Sequence, residues 1–255
     1  MKENTEKSLF LEDRLVSARA IVFDKDGVLL DFPFFWKKMI AARIERVHRR
    51  FPLDEEGKKE LSKSLGIDEK RVDPHGPLVM ASKSESNTII ASFLYSRGLP
   101  WVKGREIGKN AILEAEKELS LKDLVLPTPR IAELFEKLKQ AGWLLGIATT
   151  DDKKNTEELL DYLHIRETVS SVVGSDRVSK GKPHPEMLHL ACSELGVAPS
   201  EAVMVGDGIN DLLMGRNTGV AATVGVLTGV TSREELSPHA DLILDFAGQL
   251  IDRCL

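Results

Sequence analysis

The stretch Ala20-Ile21-Val22-Phe23-Asp24-Lys25-Asp26-Gly27 decides how the rest of the chain is read. Four apolar, β-prone residues stop abruptly at an aspartate, which is how a strand buried in a parallel sheet ends. Two carboxylates two residues apart can share one crevice if the chain curls at Gly27. One can then attack phosphorus while the other handles a proton. An ordinary Asp-Gly turn is the alternative.

Downstream of Pro127-Thr128-Pro129, apolar runs alternate with helical spacing. Ile131, Leu134, Phe135 and Leu138 predict a helix ending at Gly142, a residue suited to the left-handed turn after a helix. Trp143–Ala148 reads as a strand, 153–163 as a helix and Ser171–Val173 as a strand. Next come a helix over 185–195 closed by Gly196, a strand at Ala202–Val205 and a short helix after 209. An apolar run at 220–226 and a strand at Leu242–Leu244 end the pattern. Strands alternating with helices predict right-handed crossovers and an α/β fold with a Rossmann-like, doubly wound parallel sheet.

Between these parts, Trp36, Met39, Ile40, Ile44, Val47 and Phe51 recur at helical spacing, and further helices fit 55–66, 84–97 and 104–119. A Pro/Gly-rich break at 73–77 separates two of them, and no segment over 33–126 reads as a strand. The expected organisation is an α/β core made of 20–32 and 127–255, interrupted by an all-helical insert over 33–126. Residues 1–19 form an N-terminal extension with a short amphipathic stretch around Leu9, Phe10, Leu11 and Leu15.

A sheet of this kind places its site beyond the carboxyl ends of its strands, and a polar cluster falls there. Val205-Gly206-Asp207-Gly208-Ile209-Asn210-Asp211 is a second carboxylate pair just after a strand, either hard oxygen ligands for Mg²⁺ or caps for the next helix. Gathered with Asp24, these acids would repel one another unless a cation joins them. Thr149, followed by Thr150 and Asp151, offers a hydroxyl and amides to a phosphate or, alternatively, caps a helix. Lys182, in Lys180-Gly181-Lys182-Pro183-His184-Pro185, could offset phosphate charge, with Lys180 as its rival.

In this order the four segments resemble those of the haloacid dehalogenase-like hydrolases, specifically the phosphatases with a helical cap similar to phosphoglycolate phosphatase. The resemblance runs from about residue 20 to 226. It implies that Asp24 is a nucleophile forming an aspartyl-phosphate and a Mg²⁺ ligand. Asp26 is implied as the acid and base, binding the metal through its main-chain carbonyl. Thr149 would hold phosphoryl oxygens and Lys182 would offset charge. Asp207 and Asp211 would complete the metal site, and Thr150 and Gly27 the substrate-binding set. The acid at position 26 sets the chain apart from dehalogenases, which lack it, and from P-type pumps, which resemble Asp-Lys-Thr-Gly there. Lys25 departs from the family, which often has an apolar residue between the two acids.

The insert resembles a cap that closes over such a site and selects substrate. Val72–Ser82 is the candidate specificity loop, with a plain connector as the alternative. Phe32, Phe34, Phe35 and Trp36 suit a hinge and its packing. The arginines 43, 46, 49 and 50 suit either an anionic substrate or a solvated helix face. The expected function is hydrolysis of a small phosphorylated metabolite such as 2-phosphoglycolate. A sugar-phosphate mutase and a non-catalytic phosphometabolite-binding protein are the alternatives.

Bulk properties agree. A net charge of −5, from 35 basic and 40 acidic residues, favours neither nucleic acid nor anionic membrane. No apolar run approaches the ~20 residues of a membrane span, and two cysteines form no disulfide framework. A cytoplasmic monomer or homodimer is expected.

Overall fold

The computed structural model describes residues 7–68, 71–73 and 76–254. Two compact units divide the chain, with boundaries at Phe32/Pro33 and Leu126/Pro127. In chain order the elements are β1 (Lys7–Phe10), β2 (Leu15–Ala18), β3 (Ala20–Phe23), α1 (Phe32–Arg50), α2 (Glu55–Ser64), β4 (Ile67–Asp68), β5 (Arg71–Val72), α3 (Pro77–Met80), α4 (Lys83–Ser96), α5 (Trp101–Glu118) and α6 (Leu121–Leu124). There follow α7 (Ile131–Gln140), β6 (Leu144–Ala148), α8 (Lys153–Tyr162), β7 (Ser171–Val173), α9 (Glu186–Leu195), β8 (Ala202–Gly206), α10 (Ile209–Thr218), β9 (Ala222–Val226), α11 (Arg233–Leu236) and β10 (Leu242–Leu244).

In the first unit six strands form one parallel sheet in the order β10-β9-β8-β3-β6-β7. β3 is central, with Ala20 in register with Leu144 on one side and Ala202 on the other. Each of its four residues is fully buried, as its sequence requires. Ala20 and Val22 pack with Met187, Leu188 and Ala191 of α9, while Phe23 meets Phe135 of α7 at a ring separation of 4.8 Å. Burying one such side chain contributes about 1.5–3 kcal/mol, and helices on both faces explain why β3 shows no polar alternation. Gly142 and Gly196 both adopt positive φ, +81° and +68°, after α7 and α9 as expected.

The amphipathic stretch of the lead-in, with Leu9 and Leu11 buried and Phe10 and Leu15 exposed, takes the form of strands that the sequence pattern did not specify. β1 and β2 pair as an antiparallel hairpin, turning through Glu12-Asp13-Arg14. Leu9, Val16 and Ala18 are buried, a period of two that four-residue strands display too briefly to be recognised. The Phe10 amide bonds to the Arg253 carbonyl and the Arg19 amide to that of Glu201, which tie the segment to this unit.

The second unit is largely helical, and its caps follow the sequence. Asp54 accepts from the Gly57 amide at the start of α2, and Ser82 with Glu85 forms a capping box on α4. It is not all-helical, because β4 and β5 pair with Ile67 opposite Val72, both apolar and buried. α5 begins at Trp101, three residues before the predicted start and directly after Pro100, which makes no side-chain cap. Part of the expected Val72–Ser82 loop, Pro74 and His75, lies outside the described residues, and Pro77–Met80 of it is helix α3.

The arginine cluster on α1 is a solvated face only in part, and its cations are paired. Arg43 and Arg46 are buried and reach Glu116 at 3.4 Å and Glu118 at 2.5 Å on α5, and Arg50 reaches Glu114 at 2.6 Å. Charge that would be costly to bury alone is paired there. Arg49, beside Glu45, and Arg50 are exposed and fit the solvated reading. Phe35 and Trp36 pack against the Met39–Ala115–Leu124 cluster of the same unit.

Candidate active site

The strand order reverses direction at β3, since β6 and β7 extend one way and β8, β9 and β10 the other. Loops leaving the carboxyl ends of β3, β6 and β8 therefore converge at one edge of the sheet. Asp24 follows β3 directly, its amide bonded to the Val205 carbonyl at 2.8 Å. Thr149 follows β6, its amide bonded to the Val173 carbonyl at 3.0 Å. Asp207 follows β8 and Asp211 lies in the first turn of α10.

Carboxylate oxygens of Asp24, Asp207 and Asp211 all lie within 4.8 Å of one another, and all three residues are buried. Lys182 enters this group with its side chain 4% exposed, 2.6 Å from both Asp24 Oδ1 and Asp211 Oδ1. Its rival Lys180 is exposed. Asp211 caps as well, its Oδ2 accepting from the Gly208 amide at 3.0 Å. Asp207 takes no capping role, because the N-cap position is Gly208.

The electrostatics are those of an acid cluster short of positive charge. Burial pushes the Asp24 carboxyl up to about 6; Lys182 opposes the shift and Asp211 adds to it. Burial, then Asp211 and Asp24, hold the Asp207 carboxyl well above the usual range. Burial works against the Lys182 ammonium, yet the two aspartates outweigh it and hold that group above the usual lysine range. Three hard oxygen donors against one lysine fit a divalent cation of the Mg²⁺ type.

Two glycines give Asp207 its space. A Cβ at Gly27, whose φ is +81°, or at Gly229 would fall on the Asp207 carboxylate. The Thr228 hydroxyl donates to the Gly27 carbonyl and holds the loop after β9 against the loop after β3. Sequence reasoning missed Thr228 and Gly229, although their place just beyond a strand end was a signal for them.

Not every expected residue joins the acid cluster. The Asp26 side chain stands apart from it, because Lys25 Nζ holds its Oδ1 at 2.8 Å. The expectation placed Asp26 at the metal through its main-chain carbonyl, and its side chain is engaged by Lys25 instead. The Thr149 hydroxyl, fully buried, accepts from the Asp151 amide at 3.1 Å, so the turn role is realised while its own O–H remains to be donated. Thr150 is exposed.

Lys25, the residue out of keeping with the resemblance, is buried between Asp26 and Asp151, the latter at 3.2 Å. Burial opposes its charge, but the two carboxylates outweigh that and keep the ammonium above the usual lysine range. Burial likewise raises Asp26, with Lys25 opposing. A cavity of about 720 Å³ elsewhere, within the helical unit, has mixed Lys and Glu walls including Glu45, Lys58 and Lys63. Among the described residues it brings together no comparable cluster of acids.

Comparison with known proteins agrees with this geometry. Residues 18–219 match the haloacid dehalogenase-like hydrolase family. The N-acetylmuramic acid 6-phosphate phosphatase of Pseudomonas aeruginosa is 30% identical over 237 residues, 92% of this chain and 93% of that protein. A phosphoglycolate phosphatase of Vibrio parahaemolyticus is 26% identical over 92% of this chain and 95% of its own. The crystal structure of a predicted phosphoglycolate phosphatase from Haemophilus somnus superposes with a TM-score of 0.68 at 19% identity, covering 92% and 97% of the two chains. The chain belongs to the haloacid dehalogenase-like hydrolase family and is an enzyme of its phosphatase class.

Proposed function

We propose that the protein hydrolyses small phosphomonoesters with Mg²⁺, using Asp24 as the nucleophile. The observation that carries this is the seating of Asp24 at the end of the central strand, within 4.8 Å of Asp207 and Asp211 and 2.6 Å from Lys182. Asp24 attacks phosphorus and the bond to the leaving oxygen breaks as Asp26 gives that oxygen a proton. Asp26 then takes a proton from the water that attacks the aspartyl-phosphate, releasing inorganic phosphate and restoring Asp24. Thr149 donates to a phosphoryl oxygen, and Lys182 offsets charge on the phosphoryl group and on Asp24. Asp24, Asp207, Asp211 and the Asp26 carbonyl would hold Mg²⁺, which supplies charge neutralisation at the phosphoryl group.

The substrate class proposed is an aliphatic phosphomonoester. The two relatives described above are named for N-acetylmuramic acid 6-phosphate and phosphoglycolate, both of which also carry a carboxylic acid. Release of inorganic phosphate from these two compounds and from p-nitrophenyl phosphate, with Mg²⁺ and with chelator, tests the assignment. Turnover that requires Mg²⁺ and disappears in Asp24→Asn is expected. Full activity of Asp24→Asn would overturn the nucleophile.

A further inference from the structure

Lys25 has no part in the chemistry above, yet it is buried beside it. Its ammonium lies 2.8 Å from Asp26 Oδ1 and 3.2 Å from Asp151 Oδ2, linking the loop after β3 to the loop after β6. Asp151 is itself firmly held. Its Oδ1 accepts from the Asp152 amide at 2.8 Å and from Asn155 Nδ2 at 3.0 Å. Its carbonyl accepts from the Ser175 amide at 2.9 Å, and its amide donates to Thr149 Oγ1. Asp151 is thus a fixed post beside the phosphate-side threonine, and Lys25 carries its position across to Asp26. With both carboxylates engaged and its side chain 8% exposed, Lys25 is not presented to substrate.

We propose that Lys25, seated on Asp151, is a positioning residue that fixes the Asp26 carboxylate where it exchanges a proton with the leaving oxygen. This rests on Asp26 being the acid and base of the proposed reaction. The consequence is a dependence on the leaving group. An aliphatic alkoxide needs its proton during transfer to Asp24, whereas p-nitrophenolate departs without one, and kcat/KM reports that first transfer.

The test compares wild type, Lys25→Met and Asp151→Asn on p-nitrophenyl phosphate and on the aliphatic ester that the wild type cleaves fastest. In Lys25→Met, kcat/KM for the aliphatic ester falls roughly 10- to 100-fold. For p-nitrophenyl phosphate it stays within about threefold of wild type, because no general acid is needed in that step. Asp151→Asn moves the same ratio in the same direction, and decides the matter if Lys25→Met does not fold. Equal losses on both esters, or no loss, overturn the positioning role while the phosphatase assignment stands. A wild type inactive on every ester with Mg²⁺ overturns both.

Discussion

The ammonium nitrogen of Lys182 lies 2.6 Å from Oδ1 of Asp24 and 2.6 Å from Oδ1 of Asp211, so one buried cation spans the strand-end aspartate and the first turn of α10. No ion pair involves Asp207 among the described residues, and its carboxylate lies in the same group.

Lys182→Met leaves Asp24 without its counter-charge, and a buried carboxylate in that position retains its proton. A protonated Asp24 cannot attack phosphorus. The expected loss in kcat/KM near neutral pH is on the order of 10²- to 10³-fold, as for other groups that meet developing charge. The acidic limb of the pH–rate profile moves upward, so part of the activity returns in alkali. A limb at the wild-type position would show that Lys182 does not control Asp24.

Gly229→Ala places a methyl group on the Asp207 carboxylate, which has to move. The Mg²⁺ concentration giving half-maximal activity is expected to rise on the order of tenfold, the usual cost of disturbing an element that orients a metal ligand. Thermal melting without Mg²⁺ checks that the fold persists. Wild-type Mg²⁺ dependence would refute the claim that this loop shapes the metal site.

Stability should respond to pH and Mg²⁺ together. Burial lifts Asp24 from 3.8 to about 6 and Asp207 upward as well, so the folded protein binds protons that the unfolded chain releases. Their contribution to stability is therefore complete below the unfolded value and lost as pH rises through about 6. Mg²⁺ binds the ionised acids and replaces those protons. The increase in Tm on adding Mg²⁺ should be larger at pH 8 than at pH 5, as scanning fluorimetry would report. An equal increase at both would count against coupling between these acids and the ion.

Gly108→Ala tests packing within the helical unit. Alanine in a helix gains about 1 kcal/mol over glycine by intrinsic propensity. Here, however, the new Cβ meets Asn87 Oδ1 and lies 3.1 Å from Ile90 Cγ2 on α4. Overpacking of this kind costs about 1–3 kcal/mol, so net destabilisation is expected in a denaturant melt. A more stable variant would show that α4 and α5 can move apart freely.

Much of this was legible beforehand. The fully apolar 20–23 run placed β3, and the apolar runs of β6 and β8 brought Thr149 and Asp207 to the same edge. What was hidden depended on partners remote in sequence. Lys25 resembles any solvated lysine until Asp151, on a loop 126 residues later (151 − 25), is found beside it. Arg43 and Arg46 look like a helix face for water because Glu116 and Glu118 are 73 and 72 residues away. The hairpin over 7–18 escaped because two four-residue strands offer only a couple of alternations each.

The central place of β3 also governs the order in which the sheet can assemble. It is the earliest of the six strands in the chain, yet its neighbours begin 124 residues later at Leu144 (144 − 20) and 182 residues later at Ala202 (202 − 20). Contacts of such long range must close large loops before they stabilise anything, which slows folding. On the ribosome, Ala20–Phe23 emerges well before β6 or β8 exists, an apolar segment with no strand to pair with. The helical unit is complete in sequence by Leu126 and can fold meanwhile, whereas the edge that gathers Asp24, Asp207 and Asp211 forms only after β8 has been made.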